Sequence, residues 1–449
     1  MNLRPQFDLF WHDLPGPGAL RAAALFFYLS VLSFLLSVAV AQIFFSIAGI
    51  CYAVDLLRRP RVPNFPPVKL PLFLFCFFTV LSIGWAENPT VGWTAVRKLT
   101  LFLIILMAVN LIASYRHLAL LYRVMFVEAA IAGLVAAAQF VIEYRQVRAE
   151  HPGRFYYYMT LFRIHGFMGH WMTFGGQQMI IFAVLLAYLL LGMQDHQAAA
   201  GAPAEVARSE GLANPWWPAR FWWIVLAIVI ASIVLNFTRG VWIGCGVASL
   251  YLMARWRARW IWVLPVLALA GYASAPPLLR ERLRSVFHPS ADPSIAVRFE
   301  MWRVGLAMIR RHPLVGVGPN NVNEVYLAYL PPRTTPVAAW HEHMHDVYLQ
   351  LAAERGLPCL AVWLWLMGAL GWHIFRIRRR PNWDHPPAWV ADAALACWLA
   401  FLAEGWFEFN FGTTPVLMVF LFLIATPFIR FLPSNAGLSQ RTSPEVTSD

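Results

Sequence analysis

The sequence predicts an all-α polytopic membrane protein with about 12 transmembrane helices and a largely helical outer loop. Three observations predict it. Of 449 residues, 59% are hydrophobic and 13% charged, against about 25% charged in a soluble domain. Apolar runs of helical length recur near 22–38, 41–57, 70–85, 99–112, 118–142, 172–193, 221–237, 241–253, 261–275, 347–373, 389–402 and 416–431. At roughly 20 apolar residues per crossing the composition supplies about a dozen helices. Third, arginine and lysine cluster in alternate loops. A soluble enzyme, a disordered chain and a secreted protein are excluded together.

The first run follows Asp8, Trp11, His12 and Asp13 without a small-residue cleavage site, so it reads as a retained helix rather than a signal peptide. Arg58, Arg59, Arg61 and Lys69, then Arg255, Arg257 and Arg259, then Arg376, Arg378, Arg379 and Arg380 share one loop parity. The positive-inside rule makes these loops cytoplasmic, and both termini with them. Residues 1–275 then form about nine crossings, 276–346 an outer loop with the candidate site, 347–432 about three crossings, and 433–449 a disordered cytoplasmic tail. Residues 143–170 form a shorter outer segment, and 194–218 a flexible cytoplasmic loop. Cys51, Cys76, Cys245, Cys359 and Cys397 are odd in number and sit in apolar runs, so they read as small hydrophobes rather than a disulfide framework. The halves show no evident repeat, which weakens a transporter reading.

The net charge is +12. This topology puts about 19 of the 35 basic residues inside and about 16 outside. Long translocated loops are exempt from the charge rule, but Arg97, Lys98, Arg163 and Arg239 fall at helix ends or short turns. An outward-facing anion site competes here with a plain basic surface. Planar guanidinium suits bidentate phosphate binding. Arg239, in Thr238-Arg239-Gly240-Val241-Trp242, lies between two apolar runs with almost no loop. Such an arginine is costly unless paired or functional, and no acid is near it in sequence.

In the outer loop, residues 295–311 have Val297, Met301, Val304 and Met308 on one helical stripe. Arg298 and Trp302 share a second stripe, Arg303 and Arg310 a third. Such a helix could lie on the membrane surface with its arginines toward headgroups; a solvated face is the competing reading for Arg303, Arg310 and Arg311. His312-Pro313-Leu314-Val315-Gly316-Val317-Gly318 ends that helix and reads as a structural turn rather than a nucleotide loop. His341-Glu342-His343-Met344-His345-Asp346 contains H-E-x-x-H, the pattern of a zinc protease. Against zinc stand Pro331, Pro332 and Pro336 upstream, and Asp346 as the N-cap of the next helix. No well-placed third ligand follows, Glu404 and Glu408 being nearest in role. The preferred reading has Asp346 cap a helix closed by Gly356 and Pro358. His345 then sits at the positive end of the helix dipole, neutral and able to accept a proton; a positioned base contributes roughly 10²–10⁴ in rate. A histidine satisfied by helix-end hydrogen bonding is the alternative.

These pieces, in this order, resemble the O-antigen ligase and polymerase family of bacterial membrane glycosyltransferases. The carriers are Thr238-Arg239-Gly240-x-Trp242, Arg298-x-x-x-Trp302, His312-Pro313-Leu314-x-Gly316-x-Gly318, His343-x-His345-Asp346-x-Tyr348-Leu349-Gln350 and Glu354-x-Gly356-Leu357-Pro358. Arg163-x-x-Gly166 and Trp85-Ala86-Glu87-Asn88-Pro89 are weaker features. The resemblance implies a GT-C-like fold in the bacterial inner membrane. It also implies transfer of O-antigen from an undecaprenyl-pyrophosphate-linked donor to a lipid A-core acceptor at the periplasmic face. By motif matching the essential histidine falls on His345 and the essential arginines on Arg239 and Arg298. Arg163 joins them on the pyrophosphate, and His343, Arg303, Asp346 and Trp302 are secondary candidates. The expected reaction is inverting and independent of metal or other cofactor, with membrane lipids and no nucleic acid as further partners. Asp346 and Cys359 depart from the ligase pattern, which has Asn, Ser or Gln, and Gly, there. O-antigen polymerase and protein O-oligosaccharyltransferase are alternatives within the family; a lipid-linked sugar flippase and an intramembrane zinc protease lie outside it.

Overall fold

The computed structural model describes residues 13–16, 18–193, 218–287, 293–331, 343–380 and 385–431. His341, Glu342, most of the 194–218 loop and the tail from 433 lie outside the described residues. Those described form helices and turns, with no strand among them. Every apolar run of the sequence carries a helix. The first half contains α1 (Ala19–Val31), α2 (Val38–Arg58), α3 (Lys69–Leu81), α4 (Pro89–Leu99), α5 (Leu103–Leu111), α6 (Tyr115–Glu150), α7 (Phe155–Leu161) and α8 (Trp171–Ala187). There follow α9 (Ala219–Leu235), α10 (Arg239–Arg257), α11 (Val263–Ser274), α12 (Pro277–Phe287), α13 (Pro293–Arg311), α14 (Val322–Val325), α15 (Val347–Arg379), α16 (Ala388–Glu404) and α17 (Thr414–Ala425). Among the described residues, five stretches are long and apolar enough to cross a membrane: Val38–Arg58, Pro89–Leu111, Tyr115–Glu150, Trp171–Gly192 and Val347–Arg379. Shorter apolar helices accompany them. The chain is a multi-pass helical membrane protein.

Two boundaries differ from the sequence reading. Arg97 and Lys98 do not sit at a turn, because α4 passes through a 3₁₀ turn into α5 and both residues lie within one helical stretch. Lys98 Nζ donates across the bundle to the Gly412 carbonyl at 2.7 Å. The apolar run at 118–142 continues as helix to Glu150, so α6 has 36 residues. At 1.5 Å per residue it is about 54 Å long, beyond the roughly 30 Å hydrocarbon layer.

Helices that are apolar all round belong in the interior, and α8, α16 and α17 occupy it; every residue from Val416 to Ala425 is buried. The opposite case is α11, which has no buried residue and exposes Val266, Leu267 and Leu269, as a lipid-facing helix does. All five cysteines are unpaired.

The apolar stripe of α13 does not lie on lipid. Met301, Val304 and Met308 are fully covered and form a separate small core with Val317, Val322, Tyr326, Met344 and Ala353. This core is clamped to α15 by a break in that helix. Gly356 has φ 82° and ψ 165°, and Pro358 has no N–H, so the carbonyls of Ala353 and Glu354 lose their helical donors. The Gly316-x-Gly318 turn replaces them: Val317 N donates to Ala353 O and Gly318 N to Glu354 O, both at 2.9 Å, while Leu357 N donates to Pro313 O at 2.8 Å. A Cβ at Gly316 would meet the Glu354 backbone and one at Gly356 the Leu314 carbonyl, so both positions require glycine. Asn88 N donates to Asn321 Oδ1 at 2.7 Å, which docks the Trp85–Pro89 segment against the same turn.

Candidate active site

The four residues His343 to Asp346 form a strap leading into α15, and it is fixed from three sides. Trp302 of α13 donates from Nε1 to the Met344 carbonyl at 3.1 Å. The Met344 N–H donates to Gln350 Oε1 at 2.6 Å, and Val347 N donates to Gly405 O at 2.7 Å. Asp346 caps the helix, Oδ1 accepting from Leu349 N at 2.8 Å. Burial raises the Asp346 carboxyl, and the backbone N–H groups of Leu349 and Tyr348 oppose that rise. Its charge is turned into the helix end rather than toward the imidazole.

His345 itself has φ 51°. A non-glycine residue in the left-handed region costs about 1–3 kcal/mol and persists where its surroundings dictate it. The strained backbone aims the ring at Glu408, in the turn after α16: Nδ1 lies 3.0 Å from Oε2. Glu408 is 4% exposed at its side chain, and Arg298 comes within 3.9 Å of Oε2 while His343 Nε2 lies 3.9 Å from Oε1. The rings of His343 and His345 meet edge to face at 4.4 Å. Burial alone would push the Glu408 carboxyl up. His345, then His343 and Arg298, outweigh it and hold the group well below the usual carboxylate range.

One buried asparagine ties together the segments that carry two further predicted arginines. Asn236, at the end of α9, donates from Nδ2 to Ile164 O at 3.1 Å and to Trp171 O at 2.9 Å, joining the Arg163 segment to the turn before Arg239. Arg163 lies over the Trp171 ring at 5.3 Å. Gln139 locks the following Gly166, accepting from the His165 and Gly166 N–H groups at 3.1 and 2.9 Å. Arg239 opens α10, and its neighbour Gly240 packs on Phe407 and Glu404, next to the turn that carries Glu408. Crowding lowers the proton affinity of His170 although much of its surface is exposed; Glu408 opposes this, while His345 and Arg163 add to it.

Of the secondary candidates, His343, Asp346 and Trp302 are built into the cluster. Arg303 is not: it is exposed on the far face of α13. Sequence reasoning considered Glu408 solely as a zinc ligand and missed its pairing with His345. The available signal was an acid beside Glu404 at the end of an apolar crossing, which is a functional position by default. It also missed buried Arg282, whose Nε donates to Phe237 O at 3.1 Å and holds the turn before Arg239. Ligand atoms of His343, His345 and Glu408 lie within 4.8 Å of one another, a set able to hold a metal ion.

A many-helix body with a histidine on a buried carboxylate and Arg298 beside them, under the small core built on α13, defines a class: a polytopic membrane protein with a polar site at one face. The model of the family described as O-antigen ligase matches residues 224–364, which supports membership of the O-antigen ligase/polymerase family. The match contains Arg239, Arg298 and His345 and leaves out Arg163 and Glu408. The match supports a ligase or polymerase function of that family, suggests a glycosyltransferase-like activity, and implies lipid-linked glycans as substrates in general. No curated protein matches the chain.

Proposed function

We propose that the chain is an O-antigen ligase, transferring O-antigen from undecaprenyl pyrophosphate to a hydroxyl of the lipid A-core at the periplasmic face of the inner membrane. In this reading it is a GT-C-like protein of about 12 crossings with both termini cytoplasmic. The observation that supports it best is the His345–Glu408 contact at 3.0 Å with Arg298 beside it. Glu408 accepts from Nδ1–H, which leaves the Nε2 lone pair as the base. Nε2 takes the acceptor hydroxyl proton as that oxygen bonds to the anomeric carbon, on the side opposite the pyrophosphate. The bond from carbon to phosphate oxygen breaks, undecaprenyl pyrophosphate leaves with the electron pair, and configuration inverts. Arg298, Arg239 and Arg163 bind the pyrophosphate and stabilise the charge gathering on it, so the reaction needs no metal.

The test is transfer in reconstituted membranes with defined donor and acceptor. His345→Ala should abolish it, and full transfer by that variant refutes the assignment. Gene deletion separates the family readings: complete polymer left on its carrier means ligase, cores capped by single repeats mean polymerase. The His343, His345 and Glu408 set favours one second reading, a divalent cation in the site. Loss of transfer on chelation, restored by added zinc, would establish it and displace the metal-independent mechanism.

A further inference from the structure

At the other end of α15 lies a cavity of about 380 Å³ that glycan transfer does not use. Arg376, Arg380 and Arg430 line it with His373 and His385, and among the described residues no carboxylate takes part in the lining. Its position along the helix gives its depth. Arg376 is 20 residues past the Gly356 break, about 30 Å at 1.5 Å per residue, which is the thickness of the hydrocarbon layer. With the Gly356 break taken at one face of the hydrocarbon layer, that length carries Arg376 and Arg380 to headgroup level at the other.

The basic run at the end of α15 divides by face. Arg378 turns inward to buried Asp392, with Nε 2.7 Å from Oδ1, and Asp392 also takes Arg255 at 3.2 Å. Arg379 lies over the Phe375 ring at 4.6 Å. Arg376 and Arg380, four apart and so on one face, turn to the cavity, and Arg430 arrives from the segment after α17. No described carboxylate lies within salt-bridge distance of these three. The facing wall is apolar and fixed. Phe65 and Pro66 contribute to it, and the chain there is pinned by reciprocal bonds, Asn64 N to Asn110 Oδ1 at 2.9 Å and Asn110 Nδ2 to Asn64 O at 2.7 Å. A held pocket with guanidinium on one side and hydrocarbon on the other matches a phosphodiester attached to acyl chains. Basic pockets between membrane helices recognise anionic headgroups by this chemistry.

We propose that this cavity binds the phosphate group of an anionic phospholipid in the leaflet opposite the candidate active site. The full-length protein, stripped of lipid in detergent, is titrated with phosphatidylglycerol, phosphatidylcholine or inorganic phosphate and read by native mass spectrometry and thermal unfolding. The variant Arg376→Gln/Arg380→Gln/Arg430→Gln is compared with Arg58→Gln/Arg257→Gln/Arg259→Gln; all six arginines are exposed, and the second set lies outside the cavity. Phosphatidylglycerol should bind the wild type and the control alike. Its affinity should fall about fivefold per arginine, about a hundredfold for the three, in the cavity variant. Arg380→Gln alone, at the exposed helix end, should show the fivefold step and serves if the triple variant does not fold. Equal losses in cavity and control variants would reduce the effect to general surface charge and overturn the proposal. So would equal binding of phosphatidylcholine, or stabilisation by inorganic phosphate without any by phosphatidylglycerol.

Discussion

Replacing Glu408 by glutamine tests the site where it is most specific. The side chain keeps its volume, and Oε1 of glutamine can still accept from His345 Nδ1, so packing of the turn after α16 should survive. What disappears is a negative charge that His345, at 3.0 Å, and His343 and Arg298, each at 3.9 Å, surround. Two consequences follow. The charge no longer fixes the imidazole tautomer or stabilises the imidazolium that forms as the hydroxyl proton is taken. Loss of the corresponding carboxylate in a histidine-based triad costs about 10⁴ in kcat, and a general base as a whole contributes roughly 10²–10⁴. Glu408→Gln should therefore lower kcat by about 10²–10⁴ in reconstituted membranes while KM for the lipid-linked donor moves by less than about tenfold. The second consequence concerns acid stability. The folded carboxyl is held below its unfolded value, so its contribution is full above about pH 4.3 and is lost as the pH falls toward the folded value. Unfolding of the wild type should steepen below that pH, and the glutamine variant should lack this limb. If Glu408→Gln retains kcat within twofold while His345→Ala is inactive, the carboxylate does not orient the base and the proposed division of labour fails.

Arg298→Lys should lower kcat by about 10²–10³, because one ammonium cannot reproduce a planar two-point contact with pyrophosphate; Arg303→Gln, on the exposed face of the same helix, should stay near wild type, and equal losses would remove Arg298 from the site. Trp302→Phe deletes the 3.1 Å bond to the Met344 carbonyl and should cost about 1 kcal/mol in detergent unfolding, with a fall in kcat that leaves donor binding in place; unchanged kcat would mean the strap needs no such anchor. Asp346→Asn should preserve the cap of α15 and thermal stability, whereas Asp346→Ala should lose about 1 kcal/mol; equal stability of the two would show that the 2.8 Å cap bond contributes nothing.

The sequence disclosed whatever depended on local spacing, and the structure supplied whatever depended on distant segments meeting. The stripe Val297, Met301, Val304 and Met308 was legible as one helix face because its period is set within 12 residues. What it packs against was not, since its partners run from Val317 to Ala353. Asp346 as an N-cap and Gly356 as a helix break were legible for the same local reason. That the break and the Gly316-x-Gly318 turn are one device was not, because a carbonyl left open by a proline carries no mark of the N–H that will fill it. Glu408 is the sharpest case. It lies 63 residues from His345, in an aromatic stretch with no motif around it, and becomes significant when Val347 N meets Gly405 O and brings the two turns together. Buried charge in a membrane protein is costly enough to need a partner, so each acid at the end of an apolar run, Glu404 and Glu408 included, should be weighed against every histidine and arginine predicted on the same face. Applied to the other face, the same rule picks out Asp392, which Arg255 and Arg378 satisfy; Arg376, Arg380 and Arg430 are exposed, have no described carboxylate within salt-bridge distance, and so are open to an anion from outside.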